Sequence, residues 1–340
     1  MRRSGLARVT SAATHLQVFA IAGISAVLLI RTYLASTGYP RLGGGDLHVA
    51  HVLWGGLLMA TGLVVTLTFL GQGARMGAAL LGGAGFGTFA DEVGKFVTTS
   101  NDYFYRPAAG IIYVTFAALV MLAQWLKART AYTGTERTAN AMNTALAGTI
   151  SGLTAEQRRN AIRLVQDSGD PLDAATVRLL GMVPPKEAVG RVRLWASGAV
   201  AWLERLIRHP AMVVVAVAYL VVRAPLPLVG LVLENSYDRP TLMGEPERGA
   251  VIGLATSAAV TVVLCLVGAA MLGFSRHDRL TAFQILNLAI LADILFGQVF
   301  AFIVNQFSAV PGLLADLLVL LVISARIRQL RYQEPENRPG

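Results

Sequence analysis

The sequence predicts an all-α integral membrane protein with eight transmembrane helices. Of its 340 residues, 54% are hydrophobic and only 14% are charged, whereas soluble domains carry about a quarter charged residues. A helix needs roughly 20 apolar residues to cross the hydrocarbon core of a bilayer, and the chain contains a series of such runs. Basic residues crowd one side of these runs. The net charge of +9 therefore indicates membrane insertion and no nucleic-acid partner.

Seven apolar runs and one glycine-rich run account for the eight spans. The predicted spans are Leu16–Leu34, Val52–Leu70, Met76–Val97, Ile111–Leu126, Met212–Leu233, Val251–Leu272, Leu286–Val304 and Leu313–Ser324. The first run is longer than the apolar core of a signal peptide, and no clear small-residue cleavage site follows it. We therefore expect it to be retained as span one.

The distribution of arginine and lysine places both termini on the cytoplasmic side of the inner (plasma) membrane. With the N-terminus inside, the outside loops hold only Arg41, Arg106, Arg239 and Arg248, as the positive-inside rule requires. The expected organisation is a four-helix membrane unit at residues 1–129, a cytoplasmic helical segment at 130–209, a second four-helix unit at 210–331, and a tail at 332–340.

The segment at 130–209 resembles a soluble region. Thr154 precedes a predicted short helix, and Gln157 stands three residues after Thr154, which is a capping-box pattern. A second short helix is predicted at Ala174–Leu180. Val192–Ile207 mixes leucines with arginines, which is typical of an amphipathic helix on an anionic leaflet and equally of a solvated linker. This segment is the expected contact for a cytoplasmic partner.

The second half of the chain repeats features of the first. Arg31 in span one matches Arg223 in span five, and Asp91 in span three matches Asp293 in span seven. Four spans per copy keep both copies in one orientation, so the predicted 4+4 internal repeat is parallel. Because an isolated charge is costly inside a bilayer, we expect Arg223 to pair with Asp293 and Arg31 to face Asp91 or Glu92. Further intramembrane polar candidates are Gln298 and Asn305.

The start of span two and the end of span three carry the residues most suited to chemistry. His51, Asp91 and Glu92 are the candidate catalytic residues, because imidazole and carboxylate groups act as general acids and bases. The candidate substrate-binding residues nearby are Arg41, Asp46, Lys95, Asp102 and Arg106. The same types of ligand suit a divalent metal at His48, His51 and Glu92. Structural polar packing would produce a similar pattern.

Spans one to four resemble the VanZ-like and related uncharacterised bacterial membrane proteins at Asp46, His51, Glu92 and Asp102. The family form places a histidine four residues after the first aspartate, whereas here histidines follow it by two and by five. Leu47 stands where the family has lysine. The resemblance covers roughly the first third of the chain. It implies a bacterial cell-envelope role without indicating a reaction.

Three functions remain open from the sequence. The first is a membrane enzyme acting on a lipid or lipid-linked phosphate at the outer boundary, through His51 and its acidic neighbours. The second is a transporter of a small molecule or ion that uses Arg223 and Asp293. The third is a non-enzymatic membrane scaffold with a cytoplasmic partner bound at residues 130–209. In each case the surrounding partners include membrane lipids.

Overall fold

The structure is a computed structural model that describes residues 7–37, 51–98, 105–129, 132–166, 168–186, 202, 205–207, 209–236, 245–274 and 279–333. Within these ranges the fold is all-helical, and the one extended pairing is a bridge between Leu153 and Pro185. The chain forms two compact units. Unit 1 is Met1–Tyr103 with Thr115–Val189, and unit 2 is Phe104–Val114 with Gly190–Gly340. This division differs from the expected boundaries at 129 and 209.

Among the described residues, six helical stretches are long and apolar enough to cross a membrane. They are Ala12–Thr37, His51–Thr68, Arg106–Ala128, Pro210–Gly230, Gly249–Gly273 and Arg279–Leu330. These stretches confirm a helical, multi-pass membrane architecture. The glycine-rich third span is not among the six. The predicted spans seven and eight both fall within the last stretch.

The first helices of unit 1 are α1 (Ala12–Thr37), α2 (His51–Thr68), α3 (Gln72–Asp91), the short α4 (Val93–Val97) and the second half of α5 (Arg106–Ala128). α3 packs along both α1 and α2. The helix backbones approach so closely that a Cβ atom at Gly83 would lie 2.2 Å from the carbonyl oxygen of Phe19, and one at Gly85 would lie 2.6 Å from that of Gly55. Small residues allow such close helix packing in membranes.

Three further helices of unit 1 lie within the segment expected to be cytoplasmic: α6 (Gly134–Ser151), α7 (Ala155–Val165) and α8 (Pro171–Met182). A small core that includes Leu153 and Leu180 joins them. Thr154 and Gln157 form the predicted capping box of α7. α6 is not predicted from the sequence, because its many small and polar residues lack a strong apolar stripe. Most of Val192–Ile207, the predicted amphipathic helix, lies outside the described residues.

The residues preceding α1 are attached to α6. Nε of Arg8 donates to Oε1 of Glu136 at 3.0 Å, and the amide of Thr10 donates to the side chain of Asn140 at 2.8 Å. The hydrogen bonds from Arg8, together with one from the Thr133 amide, lower the pKa of Glu136 to about 2. These contacts explain why α6 belongs to the same compact unit as α1.

Unit 2 contains the first turns of α5 and the helices α9 (Pro210–Arg223), α10 (Leu226–Ser236), α11 (Glu245–Phe274), α12 (Arg279–Ala292), α13 (Gln298–Asn305) and α14 (Val310–Gln333). A π-helical segment, Asp293–Gly297, joins α12 to α13, and a 3₁₀ turn, Gln306–Ala309, joins α13 to α14. Side chains from α9, α11, α12 and α14 share one apolar core around Leu286 and Ile323.

Two interruptions of the unit 2 helices have identifiable causes. α9 ends at Arg223, and Pro225 precedes α10, as the two prolines in this stretch predict, because proline disrupts the helical hydrogen bonds. Gln306 has φ 51°, a value that breaks the helix and lets the chain turn. α12 and α14 consequently pack against each other on either side of that turn.

Candidate functional site

The break between α3 and α4 positions two adjacent acidic residues in unit 1. Asp91 is the last residue of α3, and Glu92 has φ −89° and ψ 4°, a sparsely populated region of backbone conformation in which many active-site residues are found. The amide of Lys95 bonds to the carbonyl of Glu92 and starts α4. The two carboxylates therefore leave the backbone in different directions, one toward α1 and the other toward α2.

Asp91 bonds to α1 through Arg31. Nε of Arg31 lies 2.5 Å from Oδ1 of Asp91, and Nη2 donates to the Asp91 carbonyl at 3.2 Å. This is one of the two contacts that the repeat predicts for Arg31. Gly83 and Gly87 make the contact between Arg31 and Asp91 possible, because they bring the backbone of α3 against that of α1.

His51, at the start of α2, lies between the two carboxylates. Its Nε2 is 3.1 Å from Oδ2 of Asp91, and its Nδ1 is 2.8 Å from Oε1 of Glu92. The backbone amide of His51 donates to the same Glu92 oxygen at 3.1 Å. Lys95 Nζ lies 3.4 Å from that oxygen. We call these four residues, together with Arg31, the unit 1 cluster.

The acidic members of the unit 1 cluster are more deeply buried than the basic ones. The side chains of Asp91 and Glu92 are 0% and 1% exposed, whereas those of Arg31, His51 and Lys95 are 12%, 24% and 25% exposed. Burying a carboxylate costs several kcal/mol unless partners compensate. The bonds from Arg31, His51 and Lys95 supply that compensation.

The orientation of the imidazole does not favour a metal centre. Both ring nitrogens face carboxylate oxygens at hydrogen-bond distance, so a metal ion would have to displace one of these contacts. In the described part of the chain, no group of three or more His, Cys, Asp or Glu side chains is arranged to hold a metal ion. His48, the other predicted metal ligand, lies outside that part.

A second charged cluster lies in unit 2. Nη1 of Arg223 is 3.3 Å from Oδ2 of Asp293, the predicted partner, and Nη2 is 3.2 Å from Oδ2 of Asp316. Asp316 also accepts hydrogen bonds from Tyr219 Oη at 3.0 Å and from Gln298 Nε2. We call these five residues the unit 2 cluster.

The π-helical segment shapes the unit 2 cluster. The carboxyl group of Asp293 lies against Gly297, which has no side chain. A Cβ atom at Gly297 would lie 2.4 Å from Asp293 Oδ1. Tyr113, in the first half of α5, donates to the carbonyl of Ile294. Single turns of π-helix inside α-helices are frequent at functional sites.

The structure does not bring all of the predicted site residues together. Arg41, Asp46, His48 and Asp102 lie outside the described residues. Arg106 is exposed at the start of α5, in unit 2, and Asn305 is exposed at the end of α13. Among the described contacts, Asn305 belongs to neither cluster.

Asp316 and Tyr219 are not among the site residues predicted from the sequence. Asp316 lies within Leu313–Ser324, predicted as a plain apolar span, and it is fully buried. A single acidic residue inside an apolar run was the available signal, because such residues are rare in membrane spans.

Comparison with known proteins gives no relative for this chain. No protein-family model matches the sequence, no curated protein matches it, and no solved structure matches it.

Proposed function

We propose that this protein is a proton-coupled transport protein of the plasma membrane and that His51, Asp91 and Glu92 bind the coupled proton. The observation that carries this proposal is the position of the imidazole, whose nitrogens lie 3.1 Å and 2.8 Å from two buried carboxylates. Chains of acidic and histidine side chains among membrane spans are typical of proton relays in pumps and transporters.

The contacts of His51 with Asp91 and Glu92 are all satisfied as hydrogen bonds only when these three side chains hold an additional proton. A neutral imidazole has one N–H donor and one acceptor nitrogen, so its acceptor would face a carboxylate oxygen that can only accept. A proton on the second ring nitrogen, or on the facing carboxyl group, removes this conflict. Release of the proton weakens a contact between α2 and the α3–α4 junction. Protonation and helix packing are thereby coupled.

The same geometry makes the transport proposal stronger than a hydrolytic one. A general base must reach the proton of a water or substrate with a free nitrogen. In the unit 1 cluster, Nδ1 faces Glu92 and Nε2 faces Asp91. Both nitrogens of His51 are thus engaged inside the protein.

Interrupted helices in unit 2 also support transport. α9 ends at Arg223, and the π-helical segment begins at Asp293. Discontinuous helices beside ionisable groups are common at the binding sites of transporters.

The proposal includes eight spans, a parallel repeat and cytoplasmic termini. The turn at Gln306 supports the count, because it divides the stretch Arg279–Leu330 into two parts that each approach the length of a span. The repeat is supported by an Arg–Asp contact at the corresponding position of each unit. The resemblance to VanZ-like proteins supports a bacterial cell envelope.

A second candidate function is binding or cleavage of a lipid-linked phosphate at the outer boundary. One observation favours it: the accessible atoms of the unit 1 cluster belong to Arg31, His51 and Lys95, while the acids are buried. Positively charged side chains are the groups that recognise phosphate. Release of inorganic phosphate from vesicles of phosphatidic acid, lost in His51→Gln, would favour this candidate over transport.

Proton movement in reconstituted vesicles tests the proposed function. The purified protein is placed in liposomes that enclose a pH-sensitive dye, and a potassium diffusion potential makes the interior negative. A panel of amino acids, sugars, nucleosides and inorganic phosphate is then added. We expect one solute class to acidify the interior, and we expect His51→Gln to abolish that signal.

His15→Gln is the matched control, because His15 lies on α1 about 24 Å along the helix axis from Arg31 at 1.5 Å per residue. It should leave the acidification unchanged. If no class of solute acidifies the vesicles, or if His51→Gln acidifies them as the wild type does, the proposal is wrong.

A further inference from the structure

The unit 2 cluster contains two carboxylates and a single guanidinium group. Asp293 and Asp316 both contact Arg223, and the two carboxyl groups interact with each other. No other basic side chain among the described residues forms an ion pair with either acid. If both acids were ionised, one negative charge would remain uncompensated between membrane helices. Such a charge is costly in a low-dielectric environment.

The other ionisable groups around the pair supply no positive charge. Tyr219 on α9 donates to Asp316, and Tyr113 on α5 donates to the backbone of the π-helical segment. The thiol of Cys265 on α11 is buried and carries no positive charge. In the described part of the chain no further positive charge contacts the pair, so the compensating charge comes from a bound cation or from a proton.

Gln298 provides an independent sign of a missing hydrogen atom. Its Nε2 donates to Asp316, but its Oε1 is buried without a hydrogen-bond donor, and the residue is only 1% exposed. An unsatisfied buried acceptor costs about 1–3 kcal/mol. Gln298 Nε2 and Arg223 Nη2 share Oδ2 of Asp316, and Arg223 also contacts Asp293, so a hydrogen atom on the Asp293 carboxyl group is a candidate donor.

We propose that the unit 2 cluster binds one exchangeable proton, carried by Asp293 and donated to Oε1 of Gln298, while Asp316 is ionised. The hydrogen bonds assign the two roles. Asp316 accepts from Tyr219, Gln298 and Arg223, three donors that favour a carboxylate. Asp293 has a single longer contact with Arg223. Two carboxyl groups that share one site typically retain one proton between them.

A proton fits this cluster better than a metal cation. The guanidinium of Arg223 already lies within 3.3 Å of both carboxylates and would repel a second positive ion. A proton needs no further ligands and completes the hydrogen bonding of Gln298.

Loss of this proton would change how α9 and the π-helical segment are held together. It converts a neutral cluster into one with a net negative charge, and Arg223 must then balance two carboxylates. The consequence for movement of the helices rests on the proposed transport function. The charge assignment itself does not, since it concerns the protein at rest.

Infrared spectroscopy of the reconstituted protein at neutral pH tests the assignment, because a protonated carboxyl group has a carbonyl stretching band that a carboxylate lacks. We expect wild type to show this band and to shift it when its aspartates carry ¹³C. Asp293→Asn and Asp316→Asn should each lower its intensity by the same amount, because Arg223 then neutralises the remaining acid. Arg223→Gln should strengthen it, because both acids would then be protonated. Glu156→Gln, at an exposed acid on α7, should leave it unchanged.

The labelled wild type needs no substitution, so the test survives a variant that fails to fold. Absence of the band in wild type at neutral pH would overturn the proposal. The same conclusion follows if the band is as intense in both Asp293→Asn and Asp316→Asn as in wild type. A band seen in choline chloride but lost in sodium chloride would also overturn it, in favour of a metal cation. None of these outcomes depends on solute movement, so a failed transport assay is distinguishable from a failed assignment.

Discussion

Nη2 of Arg223, the last residue of α9, lies 3.2 Å from Oδ2 of Asp316 on α14. The two residues are 93 positions apart in the chain, and a glycine makes their contact possible. A Cβ atom at Gly312, one turn before Asp316, would lie 2.6 Å from the same Arg223 nitrogen. The ion pair therefore depends on a position without a side chain.

Substitution of Gly312 by alanine should displace the guanidinium and weaken this ion pair. We expect a loss of about 1 kcal/mol in the free energy of unfolding, the low end of the range for overpacking, because the end of the arginine side chain can move aside. Denaturant unfolding in detergent micelles measures it. Gly273→Ala is the control, because no atom lies within 4 Å of its Cβ position. Equal stability of the two variants would contradict the expectation.

Glycines on α3 allow a sharper comparison within one helix. A Cβ atom at Gly83 or Gly87 would lie 2.2 Å from a backbone oxygen of α1, and backbone cannot move aside as a flexible side chain can. We expect Gly83→Ala to lower the free energy of unfolding by at least about 1–3 kcal/mol. At Gly77 a Cβ atom meets nothing within 4 Å, and alanine there should be neutral or stabilising by about 0.5–1 kcal/mol. Thermal unfolding measures the stability of the two variants. A Gly83→Ala protein as stable as Gly77→Ala would argue against close packing of α1 and α3.

Arg31 and Asp91 should show strong energetic coupling. Removing one member of a buried pair leaves an uncompensated charge and typically costs about 3–5 kcal/mol, so we expect losses of this size in Arg31→Met and in Asp91→Asn. The double variant should cost less than the sum, because it leaves neither charge alone. A double-mutant cycle from unfolding free energies measures the coupling. Additive losses would indicate that the two side chains act independently.

The contact between Arg8 and Glu136 should make the attachment of the N-terminal segment depend on pH. The pKa of Glu136 falls from its ordinary 4.5 to about 2, so this stabilisation is fully present above about pH 4.5 and is lost as the pH falls toward 2. We expect amide exchange at Thr10 to accelerate across this window. In Glu136→Gln that pH dependence should be absent, whereas Glu156→Gln should retain it. An unchanged profile in Glu136→Gln would exclude this mechanism.

Much of the fold could be predicted from the sequence because hydrocarbon imposes simple demands. Long apolar runs indicated membrane helices, and the six apolar stretches agree with that architecture. Pro225 and its neighbours predicted the break after Arg223, which the structure contains. The contacts Arg31–Asp91 and Arg223–Asp293 follow from the same reasoning, since a charge inside a bilayer needs an opposite charge nearby.

Other features depended on distances that no local pattern contains. The turn of backbone at Glu92 directs that side chain to His51 and away from the Arg31 face. Asp316 joins Arg223 and Gln298 only because α14 folds back along α12 after Gln306. In the sequence, each of these two arrangements is marked by no more than a single residue, which does not identify the contact partner.

Residue types and their spacing were enough to identify a helical membrane protein whose spans contain charges that need partners, because the cost of burying a charge in hydrocarbon depends on the residue type and on its position in a span. The identity of the partners emerged from the packed helices: one imidazole lies between two carboxylates in unit 1, and one guanidinium lies between two carboxylates in unit 2. The physical reason is that hydrogen bonds act over about 3 Å, a precision that helix packing and backbone breaks provide and that residue spacing along the chain does not.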